Sequence, residues 1–90
     1  MTESKAGSEA SSVQVTIIVN GRKKSVIGPT ITYRHVIANA FDPVPTGPNI
    51  EFTVTFRDGP PENPKGSMLY GDTVHITNGM VFNVTSTDKS

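Results

Sequence analysis

From Val13 to Val19 the chain alternates: Val13, Val15, Ile17 and Val19 share one face, and Gln14, Thr16 and Ile18 share the other. A two-residue period in β-branched side chains predicts a strand with one buried face. Asn20-Gly21 follows, and this pair suits a type I′ turn, in which both central residues need positive φ. A return strand is expected over Arg22 to Ile27, ended by Gly28-Pro29. Helical spacing then replaces alternation. Tyr33, Val36, Ile37, Ala40 and Phe41 fall on one helix face, Thr32 stands as N-cap, and Ile31 and Val36 occupy the two positions of a hydrophobic staple. Asp42-Pro43 closes this helix, and the linker Asp42 to Asn49, with Pro43, Pro45, Gly47 and Pro48, has neither period.

Alternation resumes at Ile50, with Ile50, Phe52, Val54 and Phe56 on one face and Glu51, Thr53 and Thr55 on the other, so a further strand spans Ile50 to Phe56. Arg57 to Gly66 is rich in proline and glycine and reads as a long, stiff loop. A short apolar piece at Met68 to Tyr70 leads to Gly71-Asp72. Val74-His75-Ile76 and Met80 to Val84 flank Asn78-Gly79, which predicts a second hairpin with the turn chemistry of the first. Met1 to Ser12 is polar, offers too little apolar surface to offset the entropy of ordering, and is expected to be a disordered tail. The expected organisation is therefore a tail over 1–12, one domain over 13–86 and a flexible C-terminal tail over 87–90.

Composition narrows the function more than it shapes the fold. The 90 residues provide room for a single modest core, and the eight Lys and Arg balance the eight Asp and Glu. Without a field of one sign, nucleic acid is not expected as a partner; Arg22-Lys23-Lys24 reads as a solvated strand start. Cysteine is absent, so no disulfide, thiolate zinc site or thiol nucleophile is available. No apolar run long enough for a signal or a membrane span is seen, so no membrane association and a cytoplasmic location are expected. On that ground the sequon Asn83-Val84-Thr85 is read as unmodified.

Little catalytic chemistry can be assembled from these residues. His35 lies on the side of the helix away from the apolar stripe, and His75 alternates outward between Val74 and Ile76, so both read as surface histidines. Asp58-Gly59-Pro60-Pro61 brings only Asp58 and Glu62 near one another and reads as a rigid turn, not a cation loop. No nucleophile elbow and no phosphate loop occur. The chain is expected to be neither an enzyme nor a carrier of a metal or cofactor. What remains is surface: Ile18 and Val81 point outward from alternating strands and are candidates for a partner-docking patch, and edge strands could accept an added strand.

A hairpin, one helix, a strand, a short strand and a closing strand pair form an α+β order that resembles the β-grasp fold of ubiquitin and the small sulfur carriers, a mixed sheet packed on one helix. More specifically, Val19-Asn20-Gly21, Ile31-Thr32-Tyr33, Asp58-Gly59-Pro60, Gly66-Ser67-Met68 with Gly71-Asp72, and Asn78-Gly79-Met80-Val81-Phe82-Asn83-Val84 together look like the prokaryotic multiubiquitin-type domains, over Val13 to Ser90. The resemblance implies a bacterial ubiquitin-like protein modifier that works with an E1-like activating enzyme, an E2-like conjugating enzyme, a JAB-type metalloprotease and target proteins. Relatives of this type often carry tandem copies, and this sequence contains one. In such a modifier the C-terminal carboxylate is adenylated and transferred. By resemblance that places conjugation at Ser90, preceded by Thr87, Asp88 and Lys89, although the Gly-Gly ending of ubiquitin and the sulfur carriers is missing. The alternative is a noncovalent interaction module of the same fold, using Ile18 and Val81.

Overall fold

A computed structural model describes residues 13–88. The strands are β1 (Val13–Val19), β2 (Arg22–Gly28), β3 (Thr30–Thr32), β4 (Ile50–Arg57), β5 (Gly66–Met68), β6 (Thr73–His75) and β7 (Val81–Asp88), and the helix α1 is Tyr33–Ala40. Five strands form one sheet in the order β2-β1-β7-β4-β5, and β3 pairs with β6 in a separate two-stranded ladder. The β1–β7 pair is parallel, and β4–β7 is antiparallel along its whole length, from Ile50 opposite Asp88 to Arg57 opposite Val81. With α1 packed on one face, this is an α+β architecture of the β-grasp type.

Local chemistry accounts for the first half. Asn20 and Gly21 have φ of 52° and 83°, so the first turn takes the backbone that its sequence favours and locks β1 to β2 in register. Thr32 caps α1, its Oγ1 accepting the His35 N–H at 3.1 Å. Val36 and Ile37 are buried, and Tyr33, Ala40 and Phe41 pack beside them as partly buried neighbours. The inward residues of β1, Val15, Ile17 and Val19, meet Val54 and Phe56 of β4 and Phe82 and Val84 of β7 in one core. Phe82 is fully buried on the central strand, and its ring lies 6.0 Å from that of Phe56.

Two expectations are corrected. The second Asn-Gly does not close a hairpin: β6 pairs with β3, and β7 inserts between β1 and β4. Only Gly79 of that pair has positive φ (88°), with Met80 N–H bonding Thr77 O at 3.1 Å, so the turn is not type I′. Its Asn78 turns its side chain to β1 instead, Oδ1 accepting Thr16 N–H at 2.8 Å, while Gly79 N–H bonds Thr16 O at 2.8 Å. Asn20 does the reciprocal service for β7: its Oδ1 accepts Val84 N–H at 2.8 Å and its Nδ2 donates to Val84 O at 3.0 Å. Each asparagine thus extends the short β1–β7 ladder by a side chain that imitates a peptide group.

The C-terminal boundary is the other correction. Thr87 and Asp88 are strand residues of β7, opposite Glu51 and Ile50, so the expected tail over 87–90 does not begin at Thr87. The ladder continues because β4 runs to Ile50, and threonine supports extended backbone although it gives no apolar period. Lys89, Ser90 and the expected tail over 1–12 lie outside the described residues. Among the described residues no helix is long and apolar enough to cross a membrane.

Candidate functional site

Three parts of the surface can carry function: the end of β7, the sheet face away from α1, and a groove beside α1. β1 ends at Val19, level with Phe82, and β7 continues along β4 from Asn83 to Asp88. Thr85, Ser86, Thr87 and Asp88 are all exposed. The strand therefore carries the chain out of the core, beside Ile50. Of the residues expected to form the reactive end, Thr87 and Asp88 are placed here, and Lys89 and Ser90 are not described.

On the sheet face opposite α1 the register brings together what the sequence left apart. Ile18 and Val81 are direct partners across the parallel β1–β7 pair, and both are half-buried. Ile18 is also opposite Lys23 of β2, and Val81 opposite Arg57 of β4. One row across the sheet thus reads Lys23, Ile18, Val81, Arg57, with two aliphatics at its centre and a cation at each end. Arg57 donates to Asp58 at 3.1 Å, an exposed pair of small energetic value. The next outward positions are hydroxyl and amide side chains, Thr16, Asn83, Thr55 and Thr53, so the aliphatic pair stands on a polar surround.

The groove beside α1 was not evident from the sequence. It has a volume of about 740 Å³ and lies between α1, the proline-rich linker and the start of β4, with Tyr33, Arg34, Ile37, Val44, Phe52 and Tyr70 on its walls. Tyr70 is 78% exposed and Leu69 71% exposed, held at the tip of a rigid turn. Leu69 N–H donates to Asp72 Oδ2 at 2.8 Å and Asp72 N–H to Leu69 O at 2.9 Å, while Gly71 supplies a φ of 90°. The Tyr70 ring meets Tyr33 edge-on at 6.2 Å, and Arg34 Nη2 donates to its hydroxyl at 3.4 Å. The only trace in the sequence is the apolar run Met68-Leu69-Tyr70 after a polar loop, which does not say which of the three side chains is buried.

The loop read as a rigid turn is closed on itself: Gly59 N–H bonds Pro64 O and Asn63 N–H bonds Pro60 O, both at 2.9 Å. A Cβ at Gly59 would stand 2.6 Å from Asn63 O, so this position needs glycine for space. His35 and His75 are both exposed. Among the described residues no three of His, Asp and Glu come together in a way that could hold a metal ion.

A family model described as multiubiquitin matches residues 15–88, which takes in the five-stranded sheet except for the first two residues of β1, together with α1. No curated protein matches, and no solved structure does. With the β-grasp topology and a family match over most of its length, the chain belongs to the multiubiquitin family.

Proposed function

We propose that this domain is a bacterial ubiquitin-like protein modifier, acting in the cytoplasm, that E1-like and E2-like enzymes activate and conjugate through its C-terminal carboxylate and that a JAB-type metalloprotease trims or releases. It is then the passenger in the reaction, not the catalyst. The observation that carries this reading is the course of β7, whose last four described residues are exposed and run past the buried core along the start of β4. An activating enzyme has to enclose the terminal residues while the globular part stays outside. A strand that runs clear of the core presents its end in that way.

The experiment is expression of the tagged protein with the enzymes encoded beside it, followed by intact-mass analysis. Deletion of Lys89 and Ser90 is the informative variant, because it spares the pairs that Thr87 and Asp88 make with β4. Higher-mass adducts should appear with the full chain and vanish with the deletion; adducts that survive it refute attachment at Ser90.

A second reading, a noncovalent interaction module, is favoured by one observation, the direct pairing of Ile18 with Val81 between Lys23 and Arg57. A compact aliphatic pair flanked by cations suits a partner with an apolar centre and acidic rim. Under this reading no mass-shifted species forms, and Ile18→Asp abolishes the complex. Partner capture that is indifferent to Ile18→Asp rejects it.

A further inference from the structure

β2 forms one edge of the five-stranded sheet, and the direction of its free backbone groups can be worked out from β1. Ile18 and Asn20 donate their N–H groups to Met80 O and Phe82 O at 2.9 and 3.0 Å, so the even-numbered residues at this end of β1 turn their backbone toward β7. The odd-numbered ones, Val15, Ile17 and Val19, turn toward β2, where their partners are Val26, Lys24 and Arg22. In an antiparallel pair, hydrogen-bonded and non-bonded positions alternate. Lys23, Ser25 and Ile27 therefore point their N–H and C=O groups away from the sheet. All three residues are exposed, Ile27 by 56%. The opposite edge, β5, is only Gly66–Met68.

Side chains along this edge carry one sign of charge. Lys23 stands on the outer face and Arg22 and Lys24 on the helix face, where they border a hollow of about 430 Å³ with Asn39 and Asp42. None of the three cations makes an ion pair among the described residues. Cations on an edge strand deter a parallel second copy of the same strand, because in-register addition would set like charges side by side. The same arrangement favours a strand of opposite charge.

We propose that β2 is a docking edge for an extended acidic segment of a partner protein, which adds to the sheet as a sixth strand. Successive residues of an added strand alternate faces, so three consecutive carboxylates match Arg22, Lys23 and Lys24 on both faces at once. An aliphatic residue three positions beyond that run falls beside Ile27. Main-chain bonds to Lys23, Ser25 and Ile27 supply affinity, and the charges supply direction and choice.

The test uses the full chain, isotope-labelled for NMR, and two synthetic peptides. One has a valine, two threonines and three glutamates in that order, and the other has the reverse order; lysine replaces glutamate in the controls. One of the glutamate peptides should shift the β2 resonances and slow amide exchange at Lys23, Ser25 and Ile27, leaving the protection of Lys24 and Val26 unchanged. The double variant Lys23→Glu/Lys24→Glu should weaken it by about tenfold or more and bind the lysine peptide instead. Ser25→Pro removes an outward N–H but keeps every cation and the β1 ladder, and should abolish binding while the circular dichroism stays that of the parent.

Failure of both glutamate peptides at millimolar concentration overturns the proposal. So does undiminished binding to a folded Ser25→Pro, which would mean charge attraction without strand addition. Should Ser25→Pro not fold, the charge-reversed variant decides: if it does not exchange its preference to the lysine peptide, the proposal falls. Protection of Lys23, Ser25 and Ile27 in the free protein that rises with its concentration would assign the edge to a second copy and overturn it equally.

Discussion

Asn20 offers a quantitative test of how the parallel pair at the centre of the sheet is held. Its side chain makes two part-buried hydrogen bonds to the backbone of Val84, at 2.8 and 3.0 Å, and its own φ is 52°. Asn20→Gly keeps the backbone conformation and removes both bonds, at about 1 kcal/mol each, so a loss of about 2 kcal/mol is expected, with a few tenths more from the flexibility of glycine in the unfolded chain. Asn20→Asp keeps the acceptor for Val84 N–H but places a carboxylate against Val84 O, and should lose about 1 kcal/mol. Asn20→Ala loses both bonds and adds the cost of a left-handed residue with a Cβ, for a total of about 3 kcal/mol. Urea unfolding followed by circular dichroism reads the order Asp, Gly, Ala directly, with an unchanged slope confirming that the unfolding reaction is the same. For a domain of this size a loss of about 2 kcal/mol lowers Tm by about 8 to 16 °C. If Asn20→Gly stays within about 0.5 kcal/mol of the parent, the side chain does not stand in for a strand residue and the reasoning fails.

The counterpart residue, Asn78, makes a single exposed bond to Thr16 N–H, so Asn78→Ala should cost about 0.5 to 1 kcal/mol in the same urea titration, clearly less than Asn20→Ala. Thr32→Ala should destabilise by about 1 kcal/mol through loss of the α1 cap, and Thr32→Ser should restore most of it; equal losses in the two variants would deny the cap. Gly59→Ala should cost about 1 to 3 kcal/mol because its methyl group meets Asn63 O, whereas Gly71→Ala, which has open space, should pay only for its positive φ, about 1 kcal/mol. Phe82→Ala should lose about 3 to 5 kcal/mol and leave little folded protein at 37 °C by thermal melt.

What the sequence disclosed was whatever depends on near neighbours. β1, the first turn, the Thr32 cap and β4 follow from alternation, from the φ values that Asn-Gly accepts and from helical spacing. What it hid depends on which strands meet. The same dipeptide, Asn-Gly, closes a hairpin at Asn20 and does not at Asn78, because β6 has its partner in β3 and β7 takes the slot between β1 and β4. Nothing local to Asn78 marks that difference. β3 is three residues long between Pro29 and the helix, too short for any period to register. Thr87 and Asp88 carry the expectation of a tail because they continue a stretch, Thr85 to Asp88, that is polar on both faces, and only the register with β4 identifies them as strand. Ile18 and Val81 were each legible as outward aliphatics, but a parallel register sets them side by side, and no sequence pattern reports that. The groove beside α1 depends likewise on the linker and the Leu69–Asp72 turn arriving at the same place.

The two asparagines at the β1–β7 seam bear on how the domain answers force. β1 and β7 run parallel, so tension applied between the Val13 end and the Asp88 end slides one strand along the other instead of peeling them apart. Sliding loads the cross-strand bonds together: those from Ile18 and Asn20 to Met80 and Phe82, that from Gly79 to Thr16, and those the asparagine side chains add at Thr16 and Val84. β2 lies outside that seam, antiparallel to β1. A protein hauled by its two ends should therefore yield in a single abrupt rupture, at a load to which two amide side chains add about as many bonds as the backbone does.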